Sequence, residues 1–145
     1  MSDTTDKARG GCLCGAVTYE VDGPLRPIIA CHCAQCRKSL GHHAAATAAY
    51  REDLTINGEA ALSDYASSPG VRRRFCRHCG SPLFWDNSEK ETVSIWAGTM
   101  ETPTGLALEM HIFAADKGDY YEIADGLPCL EASGQTIAMP PRRGR

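Results

Sequence analysis

The sequence lacks a long apolar segment. No run approaches the roughly 18 consecutive apolar residues that a membrane-spanning helix needs, and residues 1–7 lack the apolar core of a signal peptide. We therefore expect a cytoplasmic protein that has no membrane partner. In that reducing compartment, neighbouring cysteines are more typical of metal sites or reactive thiols than of disulfides.

The sequence also has no excess of positive charge. Fifteen lysines and arginines stand against 18 acidic residues, and the pI is about 5.9. This excludes a broadly basic surface for nucleic acid, so no nucleic-acid partner is expected. The length of 145 residues fits one domain. We predict a flexible N-terminus over residues 1–9, a single domain over 10–131 and a flexible C-terminal tail over 132–145.

Several catalytic motifs are missing as well. The sequence contains no HExxH, no Walker A loop, no GxSxG and no HxE followed by PCxxC. Their absence argues against the zinc metallopeptidases, the P-loop nucleotidases, the serine hydrolases of the GxSxG type and the zinc deaminases.

Short strand-like segments recur along the chain and predict a mainly β fold of short antiparallel strands. They are residues 16–21, 28–30, 54–56, 62–66, 71–75, 83–85, 92–97 and 106–113. Segment 44–50 fits a strand or a helix. Asn57-Gly58 predicts a hairpin turn after segment 54–56. Only residues 115–120 and the region after Arg51 look like short helical turns.

Eight cysteines form three groups and one isolated residue, Cys129. Two of the groups place two thiols directly before a glycine. This pattern is typical of metal knuckles, in which the glycine has a positive φ and backbone N–H groups face the sulfurs. Together the two groups predict a closed, structural zinc site. This four-thiol cluster consists of Cys12, Cys14, Cys76 and Cys79. Nearby arginines either offset its charge or are simply exposed: Arg72, Arg73, Arg74 and Arg77.

The remaining group, Cys31, Cys33 and Cys36, is a three-thiol cluster with no partner group. On a strand the first two thiols share one face and His32 takes the other, and the third returns after a one-turn loop. Three thiolates on one zinc leave a fourth position open for water or substrate, which marks a catalytic site. Two alternatives remain: a metal-free redox cluster, or a fourth ligand from the chain. That ligand would be an acidic residue, His42, His43 or Cys129.

Three thiolates donate strongly to zinc and make it a weak Lewis acid. Binding and deprotonation of a substrate thiol are therefore favoured over activation of water. We expect Arg37 and Lys38, directly after the cluster, to bind the carboxylates of an acidic thiol. The nearest candidates for a general acid or base are His32, His42 and His43. His111 lies in an apolar strand and is expected to be a core residue.

Six segments of the chain form a specific pattern: GCLCGAVTY (11–19), CHCAQCRK (31–38), SSPG (67–70), RFCRHCGSPLF (74–84), HIF (111–113) and DGLP (125–128). In these segments the chain resembles the glutathione-dependent formaldehyde-activating enzyme family. The resemblance implies a β-tent fold and two zinc ions per chain, one structural on the four-thiol cluster and one catalytic on the three-thiol cluster. It also implies a carbon–sulfur lyase that adds glutathione to formaldehyde, giving S-(hydroxymethyl)glutathione.

The expected partners are therefore glutathione or a similar thiol and a small aldehyde, and a homodimer is left open as the assembly. The sequence departs from the family pattern at His42-His43 and Tyr120-Tyr121, and both changes would alter the pocket. Two alternatives are not enzymes. One is a carrier that binds glutathione without turnover. The other is a protein-interaction module in which both zincs are structural and the three-thiol cluster is closed by a fourth ligand.

Overall fold

The computed structural model describes residues 7–134 and 136–143. Most of the predicted N-terminal segment 1–9 lies outside the described residues. The same holds for residues 135, 144 and 145 of the predicted tail. In the part that is described, no helix is long and apolar enough to cross a membrane.

The described chain forms an antiparallel sheet of three strands, a mixed sheet of seven strands and one α-helix. The elements are β1 Ala8–Gly11, β2 Thr18–Val21, β3 Ile28–Cys31, α1 Ala34–Leu40, β4 Ala44–Tyr50, β5 Leu54–Asn57, β6 Leu62–Ser68, β7 Val71–Cys76, β8 Pro82–Asn87, β9 Thr92–Trp96 and β10 Leu108–Ile112. The small sheet has the order β1-β2-β5, and the large sheet has the order β10-β3-β4-β9-β8-β7-β6. β10 and β3 pair in parallel, whereas the other neighbours are antiparallel. The prediction of a mainly β fold built from short antiparallel strands is confirmed.

The main hydrophobic core packs the small sheet against one face of the large sheet. Tyr19 of β2 meets Phe84 of β8 edge-on, with ring centroids 5.4 Å apart. On β9, Ile95 belongs to this core, while Ser94 and Trp96 line a cavity on the opposite face. This follows from the two-residue period of a strand. One face of the large sheet is therefore buried in the core, and the other carries the cavity described below.

The predicted hairpin at Asn57-Gly58 is wrong. β5 pairs with β2 in the small sheet, whereas β6 pairs with β7 in the large sheet. Gly58 has a φ of 82° and precedes the 3₁₀ turn Glu59–Ala61, which leads the chain from one sheet to the other. A Cβ at Gly58 would lie 2.0 Å from the carbonyl oxygen of Ala16. Close packing as well as turn geometry therefore requires this glycine.

Helix α1 is missing from the sequence predictions, although its residues support it. Cys33 caps its N-terminus, since the sulfur accepts a backbone N–H of the first turn at 3.4 Å. Gly41 ends it in the left-handed region, as glycine commonly does at this position. Segment 44–50 is strand β4, in the middle of the large sheet. The 3₁₀ turns Arg51–Asp53 and Ala114–Asp116 lie at or beside the predicted helical turns.

The described end of the chain lies against β4. The hydroxyl of Tyr50 donates a hydrogen bond to the Pro140 carbonyl at 2.6 Å, and the Arg142 guanidinium lies 4.1 Å from the centre of the Tyr50 ring. Arg142 also pairs with Glu52 and Glu91. These contacts connect residues of the predicted tail to the large sheet.

Candidate metal centres and the adjoining cavity

The four-thiol cluster joins the two sheets. Cys12 and Cys14 lie in the turn after β1, while Cys76 ends β7 and Cys79 lies in the turn before β8. The four sulfurs all lie within 4.8 Å of one another. The Cys14 sulfur lies 3.7 Å from those of Cys12 and Cys76. A tetrahedral zinc with Zn–S bonds of about 2.3 Å needs sulfurs about 3.8 Å apart, so the donor set fits this metal.

The backbone around these thiols has the predicted knuckle geometry. Gly15 and Gly80 have φ values of 85° and 80°, and each glycine N–H donates to the carbonyl of the first cysteine of its knuckle. The N–H groups of Val17 and His78 donate to the sulfurs of Cys12 and Cys76 at 3.3 and 3.4 Å. These N–H···S bonds stabilise thiolates. The role predicted for the glycines is therefore confirmed.

Part of the four-thiol cluster belongs to the core, whereas Cys14 is exposed. Cys12 and Cys76 are buried among the core residues of both sheets. At the edge of the cluster, a hydrogen bond with the Ser81 hydroxyl lowers the pKa of Cys79 to about 5. This arrangement supplies four donors to one ion and is suited to holding the two sheets together.

The arginines near Cys76 have other partners than this cluster. Arg72 and Arg74 both pair with Asp64, and Arg72 also pairs with buried Asp86. Arg73, one position along β7 from each of them, points to the opposite face. There its Nη2 lies 3.5 Å from the sulfur of Cys36. Arg73 therefore contributes its charge to the three-thiol cluster.

The three-thiol cluster forms where β3 meets α1. Cys31 ends the strand, Cys33 caps the helix and Cys36 lies in its first turn, and the three sulfurs lie within 4.8 Å of one another. Hydrogen bonding between Cys31 and Cys36 lowers the pKa of Cys36 to about 5 and raises the pKa of Cys31. Arg73 adds to the lowering at Cys36. The cluster therefore favours thiolate character at Cys36 even without a metal.

This cluster opens into a cavity of about 380 Å³ on the face of the large sheet opposite the main core. The row of strands that forms its floor is fixed by register: Ile29 pairs with Ala46, Ala46 with Trp96, and Trp85 with Arg73. Its described lining also includes hydroxyl groups and an aromatic ring near the end of β10. These are Ser68, Ser94, Ser133, Thr136 and Phe113.

The cations of the cavity differ from those expected. Arg26, Arg73 and Lys90 line it, and none of its described lining residues is an aspartate or a glutamate. Arg37 and Lys38, the residues predicted to bind carboxylates, lie on α1 and do not contribute to the described lining. Strand register brings Arg73 of β7 to the thiols and Arg26, from the segment before β3, to the cavity.

The residues considered as a fourth ligand lie elsewhere. In the described chain, the group of sulfurs around Cys36 includes no further histidine, cysteine or carboxylate. His43 packs against the rings of His42 and His32, with centroids 4.3 and 4.8 Å apart. Cys129 is exposed and pairs through its backbone with the strand segment at His111. The three-thiol cluster thus retains three donors from the described residues.

A chain of hydrogen bonds, buried at His32 and His111, lies behind the three-thiol cluster. The Asp125 carboxylate accepts a hydrogen bond from His111 Nε2 at 2.7 Å. His111 Nδ1 and His32 Nε2 share the next hydrogen bond at 2.9 Å, and His32 Nδ1 shares a third with the Tyr121 hydroxyl. Burial lowers the pKa of His32 to about 4, and the neighbouring His43 adds to the effect.

His111 is buried and hydrogen-bonded, as predicted for a core residue. The chain of bonds itself was not expected from sequence, since its members lie up to 93 positions apart by residue number. Its only local signal is His32 between Cys31 and Cys33, where strand alternation sends the ring away from the thiols. Both ring nitrogens of His32 are occupied. The imidazole therefore anchors the thiol-bearing segment from behind rather than facing the cavity.

Comparison with known proteins links this arrangement to a family. Residues 7–116 match the family described as glutathione-dependent formaldehyde-activating enzyme. A Schizosaccharomyces pombe protein named an uncharacterized lyase is 26% identical over 117 residues, which cover 80% of this chain and 85% of the relative. The crystal structure of a Rhodobacter sphaeroides protein is similar with a TM-score of 0.56 and 28% identity. That match covers 67% of this chain and 91% of the other.

Proposed function

Because the chain belongs to the glutathione-dependent formaldehyde-activating enzyme family, we propose that it is a carbon–sulfur lyase. It adds a thiol such as glutathione to formaldehyde or another small aldehyde, or cleaves the adduct in reverse. In the forward direction a C–S bond forms, the carbonyl π pair moves to oxygen, and the thiol proton ends on that oxygen. No oxidant or reductant is needed. The observation that carries the proposal is a cluster of three thiols, not four, that opens into a cavity.

The donor sets of both clusters suit zinc, because thiolates are among its preferred ligands. Cys12, Cys14, Cys76 and Cys79 would hold a structural ion, and the three-thiol cluster would hold a second ion at the cavity. When bound there, zinc would supply the means to keep a substrate thiol deprotonated at neutral pH.

The residues of the chain supply charge, shape and exclusion of water. Arg73 at Cys36 offsets the negative charge of the thiolates. Trp85 and Trp96 form an apolar wall beside them, which displaces water from the place where the thiol and the aldehyde meet. Ser94 lines the same cavity, and its hydroxyl is a candidate hydrogen-bond donor to the developing alkoxide oxygen. The three histidines considered as a general acid or base are not part of the described lining.

The test is aldehyde consumption by zinc-loaded protein with and without glutathione. We expect consumption to require both the protein and the thiol, and to be lost in Cys36→Ser. Cys129→Ser is the matched control, since this exposed cysteine belongs to neither cluster. Rates no higher than in buffer, across several aldehydes and thiols, would exclude the lyase. Calorimetric binding of glutathione without any rate enhancement would then select the carrier.

A further inference from the structure

The cavity beside the three-thiol cluster has an unusual charge balance. Three cations line it, Arg26, Arg73 and Lys90, and its described lining contains no carboxylate. A partly buried cation without a counter-charge is costly, and proteins normally pair it. The thiols lie beside Arg73, and an anion that enters the cavity would supply a counter-charge for the other cations.

For two of the three cations, the structure indicates a role or a location that does not require a ligand. Arg73 contacts the sulfur of Cys36 at 3.5 Å and the side-chain oxygen of Gln35 at 3.3 Å, so its charge serves the thiolates. Lys90 is exposed in the turn between β8 and β9, which places it at the rim. Neither observation accounts for Arg26.

Arg26 is held rigidly and lacks an acidic partner among the residues described. Its Nε donates to the Pro27 carbonyl at 3.2 Å and its Nη2 to the Ala46 carbonyl at 2.9 Å. Its backbone is fixed to β4 on both sides, since its N–H donates to Ala48 and its carbonyl accepts from Thr47. The two side-chain bonds use two of the five N–H donors of a guanidinium. The other donors remain for a ligand.

We infer that Arg26 binds a carboxylate of the substrate thiol in this cavity, and that it thereby determines which thiols the protein accepts. The inference rests on the proposed function, because it concerns the same cavity and the same substrate thiol. A guanidinium held by two carbonyls loses little freedom on binding, and its planar donors match a carboxylate in two parallel bonds. Arg26 is thus a specificity-determining residue that lines the same cavity as the three thiols and Arg73.

The experiment compares two ligands that cannot react. S-methylglutathione has no free thiol but keeps both carboxylates of glutathione. Its diethyl ester has no free thiol and no free carboxylate. In calorimetry with zinc-loaded wild-type protein, we expect the ester to bind about 10- to 100-fold more weakly, as the loss of a charged hydrogen bond predicts. Arg26→Gln should remove most of that difference and Arg26→Lys should keep part of it. Arg9→Gln is the matched control, because Arg9 is an exposed cation of the small sheet paired with Glu20.

The wild-type comparison decides the inference even if Arg26→Gln fails to fold. Equal binding of the acid and the ester, or binding of neither, overturns it. If folded Arg26→Gln protein still binds the acid more tightly than the ester, another group binds the carboxylate. This result also overturns the inference. Failure of the proposed function is separable: protein that prefers the acid but consumes no aldehyde with glutathione contradicts the lyase and leaves the inference standing.

Discussion

The two thiol clusters of this molecule both consist of cysteines, but they differ in their place in the fold, in their number of sulfur donors and in what surrounds them. The four-thiol cluster joins segments of two sheets and reaches into the main core. The three-thiol cluster lies within six consecutive residues at one strand end and opens into a cavity lined by cations. A full donor set that reaches into a core suits a structural metal, and an incomplete set facing a cavity suits a ligand.

The difference also concerns sequence distance. Cys14 and Cys76 are 62 positions apart, so a metal there would close a long loop and its binding energy would become folding energy. The three-thiol segment is held by β3, by α1 and by the hydrogen-bonded chain from His32 to Asp125. We therefore expect it to keep its shape when its metal is removed.

The largest expected effect comes from removing one thiol of each cluster. Cys76→Ser should abolish soluble folded protein, because its side chain is fully buried and its metal couples to folding. Cys36→Ser should leave the fold largely intact and abolish aldehyde consumption. Circular dichroism and solubility measure the first result, and the aldehyde assay measures the second. Similar unfolding in both variants would contradict the division into a structural and a functional cluster.

A second prediction concerns the order of metal loss. A chelator should remove the metal of the three-thiol cluster first, because it has one protein ligand fewer. Both tryptophans of the protein line the cavity, so their fluorescence should change in this first phase while the far-UV circular dichroism stays constant. Loss of secondary structure in the first phase would reverse the assignment of the two clusters. Restored activity on adding zinc back is the control.

A third prediction separates loss of stability from loss of metal. Asp86 is buried and accepts hydrogen bonds from Arg51 and Arg72. Burial alone would raise its pKa, but the two arginines outweigh it and the net pKa is lowered. Asp86→Asn should therefore lower the free energy of unfolding by about 2 kcal/mol at pH 7 and leave both clusters loaded.

The pH dependence has a defined sign. A lowered native pKa stabilises the fold fully above the unfolded value of about 3.9, and this stabilisation is lost as pH falls through the native value. The difference between wild type and Asp86→Asn should thus shrink on acidification below about pH 4, as measured by denaturant unfolding. Release of metal from Asp86→Asn at pH 7 would mean that the stability of the large sheet and metal binding by the clusters are coupled.

The smallest effect is expected at Arg37 and Lys38. Both follow the three-thiol cluster in sequence but lie outside the described lining of the cavity. The double substitution Arg37→Gln, Lys38→Gln should change the KM for glutathione by no more than about twofold, as for typical surface changes. If the double substitution raised the KM for glutathione more than Arg26→Gln does, the carboxylate would bind at α1 and not at Arg26.

The thiol clusters were more predictable than the cavity. The knuckle glycines act locally, so Gly15 and Gly80 indicate the four-thiol geometry from a few residues. The count of three thiols at Cys31–Cys36 likewise needs no tertiary information. Arg73 reaches Cys36 and Arg26 reaches the cavity only through the register of the large sheet, which local sequence does not specify. The hairpin at Asn57-Gly58 fails for the same reason, because pairing with β2 decides where β5 goes.

The most direct measurement is cadmium-113 NMR of protein loaded with two cadmium ions, before and after glutathione. The four-thiol and three-thiol clusters should give two separate resonances, since four and three sulfur donors shield the ion differently. Glutathione should move the resonance of the three-thiol cluster toward that of a four-sulfur site and leave the other unchanged. Two four-sulfur resonances before glutathione is added, or no shift after saturation, would contradict an open thiol-binding position at Cys31, Cys33 and Cys36.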